Sequence, residues 1–137
     1  EDKYNRVKCA KLLGKLSMKW NEKQLNDAFN SLKDNHYFYK EALETITMKL
    51  SGKQFDNAFN CFISRFNCEG IAQELDEKQL NIALNYCMDK LNDKNERLYI
   101  RINCIEFLER ISNKCNEQQL NEAFNSSMGI FTDKNNN

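Results

Sequence analysis

The sequence predicts an all-α protein, and three observations support this prediction. The 137 residues contain no proline and only four glycines, which is typical of helical chains rather than of turn-rich β-sheet proteins. A ten-residue pattern recurs four times along the chain, and the apolar residues of each copy follow helical spacing. At this length one domain is expected.

The recurring pattern has the form x-x-x-Q-[LF]-[ND]-x-A-[FL]-N. Its copies read NEKQLNDAFN at 21–30, SGKQFDNAFN at 51–60, DEKQLNIALN at 76–85 and NEQQLNEAFN at 116–125. Such internal repetition is the sequence signature of stacked helical arrays. The shared glutamines therefore serve as structural markers of the repeat: Gln24, Gln54, Gln79 and Gln119.

Each copy is predicted to form one amphipathic helix, which we name an A helix. Apolar residues stand one, four, five and eight places after the glutamine, and this spacing forms one buried helix face. The residue three places before each glutamine is of a type that caps helix N-termini, because its side-chain oxygen accepts a backbone N–H of the first turn. The predicted caps are Asn21, Ser51, Asp76 and Asn116.

Second helical segments, which we name B helices, separate the A helices. Three of them align, at 7–20, 39–50 and 102–115, with Leu13, Leu43 and Leu108 at one shared position. The segment at 66–75 is shorter and contains Gly70, which predicts a contracted middle repeat. Helix pairs that cannot bury their apolar faces alone must stack, so we expect an α-solenoid of about four helix pairs. A four-helix bundle is the competing architecture.

The predicted repeat domain spans 1–131, and the polar segment 132–137 is expected to be a disordered tail. Twenty Lys and Arg residues balance twenty Asp and Glu residues. This zero net charge argues against a dedicated nucleic-acid binder, which needs a basic excess. No apolar run approaches the roughly 20 residues that span a bilayer, so no membrane insertion is expected. Because the sequence opens at Glu1, we expect a mature product or an excised fragment.

One stretch of the sequence carries a family resemblance. Leu91-Asn92-Asp93 precedes a turn, Ile100-Arg101 enters the next B helix, and Leu108 and Ile111 follow at helical spacing. With these residues the unit resembles a HEAT-like repeat of the bilin-lyase type. The resemblance implies that the turn aspartate and the B-helix arginine form a ladder between neighbouring units. The matching residues here are Asp93 and Arg101, and Arg6 stands at the equivalent arginine position near the start of the chain.

The resemblance also bears on source and location. The A helices look similar to HEAT arrays in proteins of intracellular bacteria, including secreted effectors. A cytoplasmic location follows from this likeness, in the source cell or in a host cell that receives a translocated effector. Secretion is the alternative. A bilin lyase or a DNA glycosylase of the HEAT-like kind is a third option, which the neutral charge and the missing acid/base residues weaken.

Six cysteines allow three interpretations: Cys9, Cys61, Cys68, Cys87, Cys104 and Cys115. Several align with core residues of other repeat copies, which favours reduced thiols packed as small hydrophobes. An even number in a short chain is also compatible with three disulfides of a secreted protein. Their spacing matches no metal-binding motif, and the single His36 cannot complete a zinc site. We predict neither a metal nor a cofactor.

Catalysis has little support in the sequence. A Cys–His pair would have to use His36, and the carboxylate pairs Glu41/Glu44 and Glu106/Glu109 fit solvated helix faces better than acid/base chemistry. We therefore expect a non-enzymatic protein-interaction or scaffold module, monomeric or weakly oligomeric, that binds a protein partner through the concave surface of its B helices. The candidate contacts are aromatic and basic: Tyr37, Phe38, Tyr39, Lys40, Arg101 and Arg110. The alternative is a secreted six-cysteine protein that binds a small apolar ligand or a host target.

Overall fold

The computed structural model describes residues 3–35, 39–65 and 68–132, and it confirms the all-α prediction for them. Eight α-helices follow one another in these ranges: α1 Lys3–Ser17, α2 Glu22–Leu32, α3 Lys40–Thr47, α4 Gly52–Arg65, α5 Glu69–Ala72, α6 Glu77–Asn92, α7 Leu98–Ile111 and α8 Glu117–Thr132. Short 3-10 turns extend α2 at Lys33–Asn35 and α7 at Ser112–Lys114. The A helices are α2, α4, α6 and α8, and the B helices are α1, α3, α5 and α7.

The repeated glutamine closes a capping box at the start of three A helices. In α2 the Gln24 N–H donates to Asn21 Oδ1 at 2.8 Å, and the Asn21 N–H donates back to Gln24 Oε1 at 3.0 Å. The same reciprocal pair joins Asp76 to Gln79 in α6 and Asn116 to Gln119 in α8. Two orphan N–H groups of the first turn are thereby satisfied at once. This explains why the motif repeats its cap and its glutamine together.

The second repeat copy uses a different cap. Ser51 stands before α4, and both its N–H and its hydroxyl donate to Glu22 Oε1, at 2.9 and 2.6 Å. Glu22, the first residue of α2, therefore occupies the acceptor role that the glutamine has elsewhere. Gln54 Oε1 is buried without a hydrogen-bond partner among the described residues. Helix α4 begins directly after Ser51, as predicted, but the Ser51 hydroxyl donates to Glu22 instead of accepting an N–H of the first turn.

Two of the B helices begin earlier than the sequence pattern predicts. Helix α1 starts at Lys3 rather than at residue 7, and α7 starts at Leu98 rather than at 102. The first turn of α1 is largely polar and hides the apolar periodicity, whereas the first turn of α7 is mainly apolar. The contracted B helix is only the four residues of α5, preceded by Cys68 in a left-handed conformation with φ 56°.

The chain divides into two compact units, 1–58 and 59–137, with the boundary inside α4. In the first unit α3 packs against both α1 and α2, and the core contains Leu25, Phe29, Leu43 and Ile46. The prediction of one domain over 1–131 and the solenoid arrangement of the repeats both stay predictions. Residues 133–137 of the predicted tail lie outside the described ranges.

In the second unit α6 packs against both α7 and α8, and α5 packs against α7. The ring of Phe59 meets Tyr86 at 5.4 Å and Phe107 at 4.9 Å between centroids, both edge to face. Asn103 Nδ2 donates to the Ile63 carbonyl at 2.9 Å, and Lys114 Nζ donates to the Gln73 carbonyl at 2.9 Å. These contacts fix the packing around the short α5.

Candidate functional site

The B helices α1 and α7 expose apolar side chains at equivalent positions. The repeat alignment that pairs Leu13 with Leu108 also pairs Tyr4 with Tyr99 and Val7 with Ile102. The two tyrosines, Val7 and Ile102 are all exposed, and Tyr4 is 71% exposed. Exposed aromatic and aliphatic residues on one helix face are the usual anchors of protein interfaces. One B-helix surface therefore recurs in both compact units.

A groove runs between α1 and α3 in the first unit. Its cavity volume is about 350 Å³, and its apolar lining comes chiefly from α1. The residues that line it include Val7, Ala10 and Gly14 of α1 and Met18, which directly follows that helix. Gly14 lies close to α3: a Cβ built on it would meet Thr45 Cγ2 at 3.5 Å, which is an ordinary contact. Since Gly14 has no side chain, the groove stays open at this point.

The rim of the groove is mainly basic. Lys11 and Lys15 border it from α1 and are exposed, and Glu41 borders it from α3. Helix α1 carries three further basic residues and no acidic one, whereas Glu41 is the only charged residue that α3 contributes to the lining. A basic rim around an apolar floor suits a segment that is apolar on one side and acidic at its edges.

The predicted aromatic and lysine contacts fall at the start of α3. Tyr39 precedes the helix and Lys40 begins it, and both are half-buried. They lie next in sequence to Glu41, which borders the groove. Tyr37 and Phe38, with His36, lie outside the described residues.

Arg101 does not lie on the surface. It is 1% exposed, and its Nη2 donates to the Leu91 carbonyl at 2.7 Å. Leu91 is in the last turn of α6, where carbonyls lack an intrahelical partner and favour a nearby cation. A guanidinium committed in this way offers nothing to a partner, so we remove Arg101 from the proposed contacts. Asp93, the turn residue of the family resemblance, accepts the N–H of Asn95 through Oδ1 at 2.9 Å.

Arg110 is half-buried in the second unit. Its Nη1 lies 3.6 Å from Glu69 Oε2, and the Glu69 side chain is mostly exposed. An ion pair of this kind contributes little to stability. Arg110 can therefore release Glu69 and pair with an acidic group of a partner.

Three of the six cysteines form a buried cluster in the second unit. Cys68, Cys87 and Cys104 are each 0% exposed. A hydrogen bond with the Cys104 thiol, together with burial, raises the pKa of Cys87 well above the usual thiol range. Burial also raises the pKa of Cys115. All six cysteines are free thiols in the structure. The raised pKa values make Cys87 and Cys115 weak nucleophiles.

Two further properties concern ions and membranes. Among the described residues, no three His, Cys, Asp or Glu side chains converge in a way that could hold a metal ion. None of the helices within the described ranges combines the length and the apolar character that crossing a bilayer requires.

The sequence analysis missed the exposed B-helix positions and the groove. The signal was present: the alignment of the B helices places a tyrosine at 4 and 99 and a β-branched residue at 7 and 102. Tyr4 and Tyr99 lie before the predicted helix starts at 7 and 102, and Val7 and Ile102 lie at those starts, outside the aligned core positions. The groove itself depends on how closely α1 approaches α3, which no sequence pattern encodes.

Comparison with known proteins finds no matching family model, no curated protein and no solved structure that is significantly similar to this chain.

Proposed function

We propose that this protein is a non-enzymatic protein-interaction or scaffold module, built as a HEAT-like α-solenoid, that binds a partner through its B-helix surface. The observation that carries the proposal is the exposure of Tyr4 and Val7 in α1 and of Tyr99 and Ile102 in α7 at matching repeat positions. Buried apolar residues at repeated positions stabilise helix packing, whereas exposed ones are accessible to a partner. Each compact unit thus presents its own copy of this surface to a partner.

The groove between α1 and α3 is the proposed anchor point. Its volume of about 350 Å³ suits one or two large apolar side chains of a partner helix. In such a helix-in-groove mode, affinity comes from apolar residues at helical spacing that enter the groove. Lys11 and Lys15 would pair with acidic residues at the edge of that helix.

The remaining predicted contacts stay in the proposal. Tyr39 and Lys40 extend the surface at the start of α3, and Arg110 contributes a basic group on α7. Tyr37 and Phe38 are retained as proposed contacts on the sequence grounds given above. The cytoplasmic location, in the source cell or in a host cell, belongs to this proposal.

A second candidate is a carrier of a small apolar ligand, the function proposed for a secreted six-cysteine protein. The groove favours it too, because its volume of about 350 Å³ lies in the range of small-molecule sites. The two candidates differ in their ligand and in the oxidation state of the cysteines, and both differences are measurable.

Gly14 provides the sharpest test. Gly14→Leu should fill the groove, and it should not harm α1, because leucine favours helices more than glycine does. Gly14→Ala is the matched control, since one methyl group gains the same helix preference but leaves most of the groove open. The immobilised chain would capture partners from cells that naturally encode it, and mass spectrometry would identify them. The binding of each partner to both variants would then be measured.

The proposal expects at least one partner whose binding is lost with Gly14→Leu and retained with Gly14→Ala. Equal binding to both variants by every captured partner would refute the groove as the anchor. Loss of binding of an apolar fluorescent probe with Gly14→Leu, without any groove-dependent protein partner, would instead support the small-ligand function.

A further inference from the structure

We infer that this protein associates head to tail with a second copy of itself, α8 of one molecule packing against α1 of the next. The inference starts from the fourth A helix. Its residues Leu120 and Phe124 occupy the two repeat positions that are buried in every other A helix, yet they are exposed, Phe124 at 63%. The buried equivalents are Leu25 and Phe29 in α2, Phe55 and Phe59 in α4, and Leu80 and Leu84 in α6.

The exposed face of α8 is a continuous stripe. Leu120, Phe124, Met128 and Phe131 are all exposed and lie four, four and three residues apart, which puts them on one side of the helix. In the first repeat copy, the A helix α2 packs against the following B helix α3, and in the third, α6 packs against α7. The stripe on α8 is therefore shaped for a B helix.

The first B helix has the complementary feature. Leu12 and Leu16 of α1 are exposed, Leu16 at 55%. Their equivalents are Ala42 and Ile46 in α3 and Phe107 and Ile111 in α7, and all four are 0% exposed. The ring of Phe107 contacts Phe59 of an A helix, so this B-helix position faces an A helix where one is present. The face of α1 that carries Leu12 and Leu16 is thus an exposed B-helix face that the stripe on α8 of a second molecule can cover.

Charge favours the same pairing. Helix α1 carries five basic residues and no acidic one: Lys3, Arg6, Lys8, Lys11 and Lys15. Helix α8 carries two acidic residues, Glu117 and Glu122, and no basic one. Two α8 helices facing each other would bring like charges together, whereas α8 against α1 brings opposite charges together.

The proposed contact is separate from the groove. Leu16 lies nine residues after Val7, which is about two and a half helical turns, so the two side chains point to opposite sides of α1. The self-association and the partner binding proposed above therefore fail independently.

The contact is heterologous, and this allows a decisive mixing experiment. Phe124→Asp blocks α8 and leaves α1 intact, while Leu16→Asp blocks α1 and leaves α8 intact. Both positions are exposed, so neither change disturbs the core. Masses would be measured by analytical ultracentrifugation for each protein alone and for an equimolar mixture, with helical content checked by circular dichroism. If either variant lost helicity, Leu120→Ser and Leu12→Ser would replace the pair.

The inference expects three results. The unmodified protein grows in mass with concentration beyond twice 16.2 kDa, each variant alone stays at 16.2 kDa, and the mixture forms a complex of two chains. Leu98→Asp, which changes an exposed apolar residue outside both stripes, associates like the unmodified protein. The inference is overturned if the unmodified protein stays monomeric or if the mixture stays monomeric. It is also overturned if Leu16→Asp alone still associates, because that result would indicate a symmetric contact between two α8 helices.

Discussion

The carboxylate of Glu22 accepts both the N–H and the hydroxyl of Ser51, so the first residue of one A helix caps the next A helix along the chain. This contact spans 29 residues and takes the place of the local capping box found in the other copies. Gln54, which would close that box, instead buries its Oε1. A local interaction has thus been exchanged for a tertiary one.

Glu22→Gln should reduce the acid sensitivity of the protein. The hydroxyl and the N–H of Ser51 both lower the pKa of Glu22 below its ordinary value of 4.5. A lowered folded-state pKa gives stability that is present above the ordinary value and is lost as pH falls through the folded-state value. Thermal unfolding from neutral pH to about pH 3 should therefore show a smaller drop in Tm for the variant than for the unmodified protein.

Glu77→Gln is the matched control for this experiment. Glu77 is the first residue of α6, as Glu22 is of α2, but the next A helix, α8, closes its own capping box between Asn116 and Gln119. The control should keep the acid-dependent drop of the unmodified protein. An equal change in both variants would mean that the effect comes from helix charge in general and not from Ser51.

Gln79→Ala should destabilise the protein by about 1 kcal/mol, because it removes one half of a capping box at a buried position. Gln54→Ala should have a much smaller effect, since Gln54 Oε1 has no hydrogen bond to lose among the described residues. Urea unfolding of both variants measures the difference in the free energy of unfolding. Similar losses for the two would contradict the proposed role of the repeated glutamine.

Arg101→Ala should destabilise the protein by roughly 3 kcal/mol, because it leaves a cavity and removes the donor to the Leu91 carbonyl. Arg110→Ala, which removes only a longer ion pair with the exposed Glu69, should cost less than about 1 kcal/mol. Urea unfolding again provides the measurement. If Arg101→Ala unfolded at the same urea concentration as the unmodified protein, then Arg101 would not be a structural residue. Its exclusion from the proposed partner contacts would then be wrong.

Cysteine labelling separates the two proposed functions. If the protein works in a reducing cytoplasm, then denaturation without reductant should expose six thiols for alkylation, as counted by intact mass. In the folded protein, Cys68, Cys87 and Cys104 should react far more slowly than in the unfolded chain, because all three are buried. Protein isolated from its natural source with no free thiols would contain three disulfides and would favour the secreted ligand carrier.

Much of the fold could be predicted from the sequence because the repeat amplifies weak local signals. One asparagine before one helix is a poor predictor, but a capping residue at the same place in all four copies fixed the start of every A helix. Tertiary features escaped prediction. Glu22 replaces a glutamine through a contact that no spacing reveals, and Arg101 is buried because the end of α6 needs a donor.

The candidate site was predicted less well for a related reason. Charge and aromatic content suggested Lys40 and Arg101 as contacts, but exposure depends on which neighbour each helix face meets. At equivalent repeat positions, Leu16 is exposed and Ile46 is buried, although their sequence surroundings are alike. Sequence defines the apolar face of a helix, while the helices that pack against it decide whether the face is covered.

Site-specific photo-cross-linking tests most directly whether the B-helix surface binds a partner. A photoreactive amino acid would replace Val7 or Ile102, which are equivalent exposed positions of α1 and α7, in cells that naturally encode the protein. Lys23 and Lys78, equivalent exposed positions of the A helices α2 and α6, serve as controls. We predict that the two B-helix positions cross-link to the same partner and that the controls do not. Cross-links to a partner from the A-helix positions alone would contradict the proposed binding surface.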